Sequence, residues 1–180
     1  MLSDEKTALI VVDVQEKLLN VMYEKEAVVE NLQKLIKSAN LLDIPIVWTE
    51  QNPKGIGPTV SEIKDLMPGD IKPISKFSFS CCQNDQFMDI LKATNRTQIL
   101  MTGIETHVCV CQTSVDLFGL GYEVEVVSDA VSSRTPQNKE VGLTKMKGEG
   151  IALTSVETAI FELLKDAGHE KFKGILKIIK

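Results

Sequence analysis

The chain has 180 residues, of which 43% are hydrophobic and 25% charged, and its formal net charge is -5 at pH 7. This is an ordinary globular composition, and the length predicts one domain spanning residues 1–180. The negative charge argues against a nucleic-acid partner, because no basic stripe is available to neutralise phosphates. No apolar stretch approaches the ~20 residues that cross a bilayer, so we expect no membrane partner.

The first residues, MLSDEKTALIVV, place acidic side chains before a short apolar run and lack the cleavage pattern of a signal peptide. We therefore expect a cytoplasmic protein, in which thiols stay reduced. The four cysteines at positions 81, 82, 109 and 111 then predict free thiols rather than a disulfide framework.

Strand-like and helix-like segments alternate along the chain. Continuous apolar runs such as TALIVVDV are typical of strands buried on both faces of a sheet. In chain order we predict strands at 7–14, 44–50, 73–79, 97–103, 122–130 and 151–154. Helical periodicity predicts helices at 28–42, 84–93, 107–119, 136–148 and 156–167, and a Gly/Pro-rich loop occupies 51–62. The alternation predicts an α/β fold, a parallel sheet covered by helices on both faces.

Ligands of such sheets bind beyond the carboxyl ends of the strands, near the point where the strand order reverses. Three places in the sequence fit that position: the residues after Val12, the segment around Lys76, and the turn 103–109. No G-x-G-x-x-G or G-x-x-x-x-G-K-[ST] pattern follows a strand, so dinucleotide and P-loop binding lose their usual support. We expect no cofactor.

A carboxylate ends the first predicted strand, and a lysine lies within the third. Asp13 follows an apolar run, where a carboxylate is costly unless it is paired; alternatively it caps the next loop. In PISKFSF the period of two places Ile74 and Lys76 on one face, with Phe77 and Phe79 on the other. Lys76 then needs a carboxylate, and Asp13 is the candidate, unless the lysine snorkels from an edge strand.

The segment GIETHVCVCQTS holds two of the cysteines and a histidine. Thr106 is a suitable N-cap and would place Cys109 at the third helical position. Backbone N–H groups and the helix dipole should lower the thiol pKa there below its usual ~8.5, and more so if Lys76 lies close. The same N–H groups could hold an oxyanion.

Cys111 is predicted to have different surroundings. Spacings of three and four residues place it on an apolar helix stripe. The other members of the stripe are Val108, Val115 and Phe118. We therefore expect Cys111 to be an inert core thiol.

Other interpretations of these residues stay open. A metal site could combine the C-x-C pair with His107 and Cys82, although residues two apart in a helix point to different faces. The same geometry weakens a Cys-His pair, so we expect His107 to line the pocket or bond locally and expect no metal. Cys81 and Cys82 would pack or line the pocket, or act with Cys109 as a thiol sensor.

Together these features resemble the isochorismatase-like cysteine hydrolases over nearly the whole chain. The resemblance rests on an Asp ending the first strand in VVDVQ, a Lys in SKFSFS, and a G-I-x-T-x-x-C turn into a helix. It implies a three-layer α/β/α, Rossmann-like fold with a six-stranded parallel sheet, and a catalytic triad of Asp13, Lys76 and Cys109. It also implies a cis peptide between Ile104 and Glu105, and an oxyanion hole made by the backbone N–H groups of Glu105 and Cys109.

The sequence departs from the nicotinamidases of that superfamily. Those enzymes carry a metal-binding D-x-H pattern after the second strand, whereas WTEQNPKGIGPT contains no histidine. Position 105 is Glu, where the amidases commonly have Ala. WTEQ, the following loop and GIETHVC resemble instead the uncharacterised isochorismatase-domain branch.

The function implied is hydrolysis of a small amide-like or related acyl substrate through a thioester. Expected substrate contacts are Gln15, Phe77, Phe79, Thr106 and His107, with Glu105 and Lys54 selecting a polar substrate. One alternative is an enol-ether hydrolase that uses Asp13 as general acid, and another is a catalytically silent binding or scaffold protein. Relatives in this family commonly form homo-oligomers, and we expect one here.

Overall fold

The computed structural model describes residues 1–180 and contains one six-stranded sheet. The strands are β1 Thr7–Val12, β2 Ile46–Gln51, β3 Ile74–Lys76, β4 Gln98–Ile104, β5 Glu123–Ser132 and β6 Ala152–Thr154. Every neighbouring pair is parallel, and the order across the sheet is β3-β2-β1-β4-β5-β6. The predicted α/β fold with a six-stranded parallel sheet is confirmed.

Helices connect the strands and cover both faces of the sheet. They are α1 Glu16–Leu19, α2 Lys25–Leu41, α3 Pro53–Ile56, α4 Ser61–Lys64, α5 Asp85–Ala93, α6 Cys111–Gly119, α7 Pro136–Gly148, α8 Val156–Leu164 and α9 Phe172–Ile179. A 3-10 turn spans Cys81–Gln83 and a π-helical turn spans Thr106–Val110. None of the helices combines the length and apolar content needed to cross a bilayer.

The sheet separates two apolar layers, because successive side chains of a strand point to opposite faces. In β1, Leu9 and Val11 pack in the layer that contains α2, α8 and α9. Ala8, Ile10 and Val12 pack in the layer that contains α5, α6 and α7. Burial on both sides explains why the first strand is apolar without interruption.

The third strand is shorter than predicted, with three residues instead of the stretch 73–79. The alternation itself is confirmed, because Ile74 and Lys76 are buried while Ser75 is exposed. The strand ends where the carbonyl groups of Ser78 and Phe79 turn toward the ammonium group of Lys76. The predicted loop 51–62 also contains the short helix α3, and α4 begins at its end.

The strand order reverses beside β1, which has β2 on one side and β4 on the other. The register places Val12 next to Gly103, so the ends of β1 and β4 lie side by side. Gly103 has a φ of +106°, and a Cβ built there would lie 2.1 Å from the carbonyl oxygen of Val12. Only glycine permits this approach, which brings the turn after β4 against the end of β1.

Gly103→Ala should lower the free energy of unfolding by at least about 2 kcal/mol, from strain at positive φ and from the clash with Val12. Denaturant unfolding followed by circular dichroism measures the loss. Gly148→Ala in α7 is the control, since a Cβ there meets nothing within 4 Å. Equal stability of the two variants would contradict the proposed constraint at Gly103.

Candidate functional site

Asp13 lies immediately after β1 and is fully buried. Its φ of +52° is in the left-handed region, which turns the chain at the end of the strand. Oδ1 accepts a hydrogen bond from the Thr49 hydroxyl at 2.7 Å, and Oδ2 accepts one from Lys76 Nζ at 2.7 Å. A buried carboxylate that is paired in this way is not a loop cap, so the pairing interpretation holds.

Lys76 is 2% exposed, and its side chain forms an ion pair with Asp13 in which neither side chain is accessible. Its ammonium group also donates to Gln51 Oε1 at 2.9 Å and to the carbonyl oxygens of Ser78 and Phe79 at 3.2 and 3.3 Å. The alternative of a snorkelling edge lysine is therefore wrong. Burial alone would lower the pKa of Lys76. The negative charge of Asp13 and the nearby Cys81 and Cys109 together have a larger effect, so the pKa is raised.

Cys109 lies in the π-helical turn beside this ion pair and is 6% exposed. Burial raises the pKa of its thiol from 9.0 to about 12, and the negative charge of Asp13 adds to this effect. The charge of Lys76 acts in the opposite direction and is outweighed. The sequence-based expectation of a lowered pKa is wrong, because removal of water from the thiol exceeds the stabilisation of a thiolate.

The helix start also differs from the prediction. Glu105 occupies the N-cap position without a side-chain cap, and the Thr106 hydroxyl is buried with no hydrogen-bond partner. The Val110 N–H donates to the Glu105 carbonyl at 3.2 Å, which is the five-residue spacing of a π-helix. Cys109 is thus the fourth residue of a π-helical turn and not the third residue of an α-helix.

The buried side of the helix differs in part from the predicted apolar stripe. Val110 and Leu117 are fully buried, whereas Phe118 of the predicted stripe is 42% exposed. Cys111 is buried as predicted, and Val108 and Val115 of the predicted stripe pack in the same apolar cluster. Gly142 of α7 allows the packing, because a Cβ there would lie 2.9 Å from backbone atoms of the π-turn.

All four cysteines are free thiols, as predicted. Cys81 is fully buried, and its Sγ lies 3.9 Å from the hydroxyl of Thr49, which bonds to Asp13. Burial raises the pKa of Cys81 to about 11 and that of Cys82 to about 12. No group of three or more His, Cys, Asp or Glu side chains is arranged to hold a metal ion.

Several expected substrate contacts are engaged elsewhere. The Gln15 amide group donates to the carbonyl oxygens of Gln51 and Gly57 at 3.0 and 2.6 Å, and its oxygen accepts from Gln51 N–H at 2.7 Å. Gln15 therefore stabilises the loop after β2 through these hydrogen bonds. Its predicted place in the pocket wall is corrected accordingly. Phe77 and Phe79 are 77% and 54% exposed, so their rings do not form an enclosed wall.

The remaining predicted contacts surround the π-turn. His107 Nδ1 lies 3.0 Å from the hydroxyl oxygen of Ser133. The Glu105 carboxylate accepts from Arg134 N and Nε, each at 3.1 Å, so its charge is paired within the chain. The peptide bond between Ile104 and Glu105 is cis, as the resemblance implied.

Sequence reasoning missed Thr49 and Gln51, which contact Asp13 and Lys76 directly. A signal was available, because the two residues are separated by one position on β2 and therefore share a face. Three consecutive polar residues, Thr49 to Gln51, end an otherwise apolar strand and indicated a polar site there.

Comparison with known proteins agrees with this architecture. The family model described as the isochorismatase domain matches residues 7–158. The chain belongs to the isochorismatase family. A secreted isochorismatase effector, Isc1 of Phytophthora sojae, is 41% identical over 177 residues, covering 97% of this chain and 84% of that protein.

Three solved structures share the fold of this isochorismatase-family chain. The MAR1 ribonuclease of Caenorhabditis elegans has a TM-score of 0.94 at 36% identity, covering 99% of this chain and 91% of that one. The Escherichia coli ycaC gene product, described as an octameric hydrolase of unknown specificity, has a TM-score of 0.94 at 25% identity, covering 99% and 88%. YcaC from Pseudomonas aeruginosa, described with hexane-2,5-diol and covalent acrylamide, has a TM-score of 0.92 at 26% identity, covering 98% and 90%.

Lys76→Met should lower the free energy of unfolding by about 3–5 kcal/mol, because it leaves the buried Asp13 carboxyl group without its cation. The double variant Asp13→Asn/Lys76→Met should recover a large part of that loss. Lys165→Met removes the exposed pair with Asp4 and should cost ~1 kcal/mol or less. Denaturant titrations of the variants measure these differences, and equal costs for both lysines would contradict the burial argument.

Stability should fall at alkaline pH because of the Cys109 thiol. The unfolded chain loses this proton near the ordinary pKa of 9.0, whereas the folded protein keeps it to about pH 12. The thiol's contribution is therefore complete below pH 9 and is lost between those values at up to ~1.4 kcal/mol per pH unit. Cys109→Ala should flatten this decline in unfolding titrations, and Val108→Ala, which removes no titrating group, should not.

Proposed function

We propose that this protein is a hydrolase of small amides or related acyl compounds, with Asp13, Lys76 and Cys109 as its catalytic residues. The observation that carries the proposal is the fully buried Asp13–Lys76 ion pair beside a thiol at the switch point of the sheet. A charged pair costs free energy to bury, and such sites occur where charge is needed for chemistry. A structural relative that is described with covalent acrylamide supports a reactive nucleophile in this fold.

The raised pKa of Cys109 assigns the first proton transfer to Asp13. With a pKa of about 12 the thiol is protonated at neutral pH, so it must lose its proton as it attacks. Asp13 accepts that proton while the Cys109 sulfur forms a bond to the substrate carbonyl carbon. The C–N bond then breaks, Asp13 returns the proton to the leaving amine, and water hydrolyses the thioester.

Lys76 would stabilise negative charge throughout these steps. Its ammonium group neutralises the Asp13 carboxylate before the reaction, and its charge favours the thiolate of Cys109. The raised pKa of Lys76 keeps it protonated over the physiological range. It would therefore act as a fixed cation and not as a proton donor.

The oxyanion would be held by the backbone N–H groups of Glu105 and Cys109. The Glu105 N–H donates to no acceptor within the protein, which leaves it for a ligand. Arg134 holds the side chain of Glu105 and thereby fixes the position of the turn. The unpartnered hydroxyl of Thr106 supports its predicted contact with substrate, and the exposed Phe77 and Phe79 would shape the entrance instead of an enclosed pocket.

Assembly and location remain predictions. An octameric relative of the same fold supports a homo-oligomer. A cytoplasmic location is not supported by the Phytophthora sojae relative, which is described as secreted. Native mass spectrometry measures the oligomeric state, and fractionation of the source cells measures the location.

Acrylamide should form an adduct on Cys109 at pH 7 to 8, and the chain should release ammonia from small amides. Cys109→Ala should abolish both, and Asp13→Asn should slow the adduct by at least ~100-fold, because the general base is lost. Cys111→Ala, which removes the neighbouring buried thiol, should change neither rate. Intact-mass spectrometry and an ammonia assay measure these outcomes.

Other outcomes would favour two alternative functions. Activity on an enol ether that survives Cys109→Ala but not Asp13→Asn would favour Asp13 as general acid in isochorismatase-type hydrolysis. The Caenorhabditis elegans relative is described as a ribonuclease, so RNA cleavage lost in Cys109→Ala or Asp13→Asn would favour that activity. We expect no RNA cleavage, because the net charge of -5 is unfavourable for binding phosphates. Binding of a partner without any turnover would favour a scaffold.

A further inference from the structure

Gln51 joins the two strands that carry the ion pair. It ends β2 and is paired in register with Lys76 of β3. Its side-chain oxygen accepts from Lys76 Nζ at 2.9 Å, and its side-chain amide donates to the Phe77 carbonyl at 2.7 Å. One side chain thus contacts both the ammonium group and the segment that follows it.

The ammonium group of Lys76 has more acceptors than protons. It carries three N–H bonds, whereas four oxygens lie within 3.3 Å of Nζ. After the Asp13 carboxylate, the Gln51 oxygen is the nearest acceptor, and the main-chain oxygens of Ser78 and Phe79 are farther away. The direction of the ammonium protons therefore depends on Gln51 to a larger extent than on either carbonyl.

We propose that Gln51 is a positioning residue that holds the Lys76 ammonium group in place during the reaction. The inference rests on the proposed function. When Asp13 accepts the thiol proton it becomes neutral, and its attraction for Lys76 decreases at the moment when negative charge develops on Cys109 and the substrate. The Gln51 oxygen is uncharged and keeps its hydrogen bond through this change.

The amide group of Gln51 strengthens the same arrangement. Its bond to the Phe77 carbonyl fixes the start of the segment whose next two carbonyls face Lys76. The ammonium group therefore has three neutral acceptors: the Gln51 side-chain oxygen and the carbonyl oxygens of Ser78 and Phe79. Gln51 supplies the first directly and orients the other two through its bond to Phe77. Loss of the Gln51 side chain would let the cation turn away when Asp13 is protonated.

The backbone at this position is held independently of the side chain. Gln15 accepts from the Gln51 N–H and donates to the Gln51 carbonyl oxygen. Asn52 N–H also donates to the Lys76 carbonyl at 2.9 Å, which keeps β2 and β3 together. Substitutions of the Gln51 side chain can therefore test its contacts without removing these anchors.

Two substitutions separate the contact with Lys76 from the contact with Phe77. Gln51→Glu keeps an oxygen acceptor for Lys76 and loses the donor to Phe77, whereas Gln51→Met has similar length and loses both. Gln112→Met changes an exposed glutamine on α6 and serves as the matched control. The probe is acrylamide, and the readout is the rate of Cys109 adduct formation against pH, normalised to the folded fraction.

Gln51→Met should lower the rate at neutral pH by at least about 10-fold, since misplacement of a catalytic group has costs of this order. Gln51→Glu should recover most of the rate at high pH but shift the pH midpoint upward, because a negative charge beside Lys76 offsets the cation that favours the Cys109 thiolate. The control should match the wild type. A purely structural role for Gln51 would lower the two rates together and leave the midpoint unchanged, and this result would overturn the inference.

The same measurement distinguishes failure of the inference from failure of the proposed function. If the wild-type rate depends on Asp13 while both Gln51 variants behave as wild type, the inference alone is overturned. If the wild-type rate does not change in Asp13→Asn, both the proposed function and the role of Gln51 are overturned. An Asp13-dependent rate that falls in Gln51→Met and is largely kept in Gln51→Glu, with the upward midpoint shift, supports both.

Discussion

The buried ion pair between Asp13 and Lys76 is the interaction on which the rest of the site depends. Two charges removed from water are costly, and their attraction compensates only when the remaining hydrogen-bonding capacity is also satisfied. Here Thr49 occupies the second oxygen of Asp13, and Gln51 with two main-chain carbonyls surrounds the ammonium group. The need to satisfy these hydrogen bonds explains why β2 ends in polar residues and why β3 stops at Lys76.

The sheet topology brings the parts of the pair together. Three neighbouring parallel strands end at the site: Asp13 follows β1, Gln51 ends β2 and Lys76 ends β3. These residues therefore meet at the carboxyl end of the sheet although they are distant in sequence. The turn after β4 reaches the same end because Gly103 permits contact with the end of β1. The thiol of Cys109 is thereby positioned by backbone packing, and the ion pair is positioned by strand register.

Much of this arrangement could be predicted from the sequence because it follows from periodicity. Uninterrupted apolar runs predicted buried parallel strands, and the alternation in PISKF placed Lys76 on the same face as Ile74, which the structure shows to be buried. The π-turn could not be predicted, since its extra residue depends on tertiary contacts such as the packing of Gly142 against it. The sign of the Cys109 pKa shift also depends on three-dimensional burial, whereas a helix start in sequence indicates only the opposing effect of the dipole.

A raised thiol pKa is consistent with nucleophilic catalysis when the base is part of the same buried unit. In the resting site the Asp13 carboxylate is balanced by Lys76, and the thiol is neutral, so the three groups together carry no net charge. Transfer of the proton from Cys109 to Asp13 leaves the total unchanged and moves the negative charge from oxygen to sulfur. Because the desolvation cost is already present before transfer, the site needs only to redistribute charge near a fixed cation.

An exposed thiolate would instead be stable without substrate and would react with any electrophile in solution. If Cys109 is the nucleophile, as proposed, its burial would restrict its reactivity to molecules that enter the site beside Asp13.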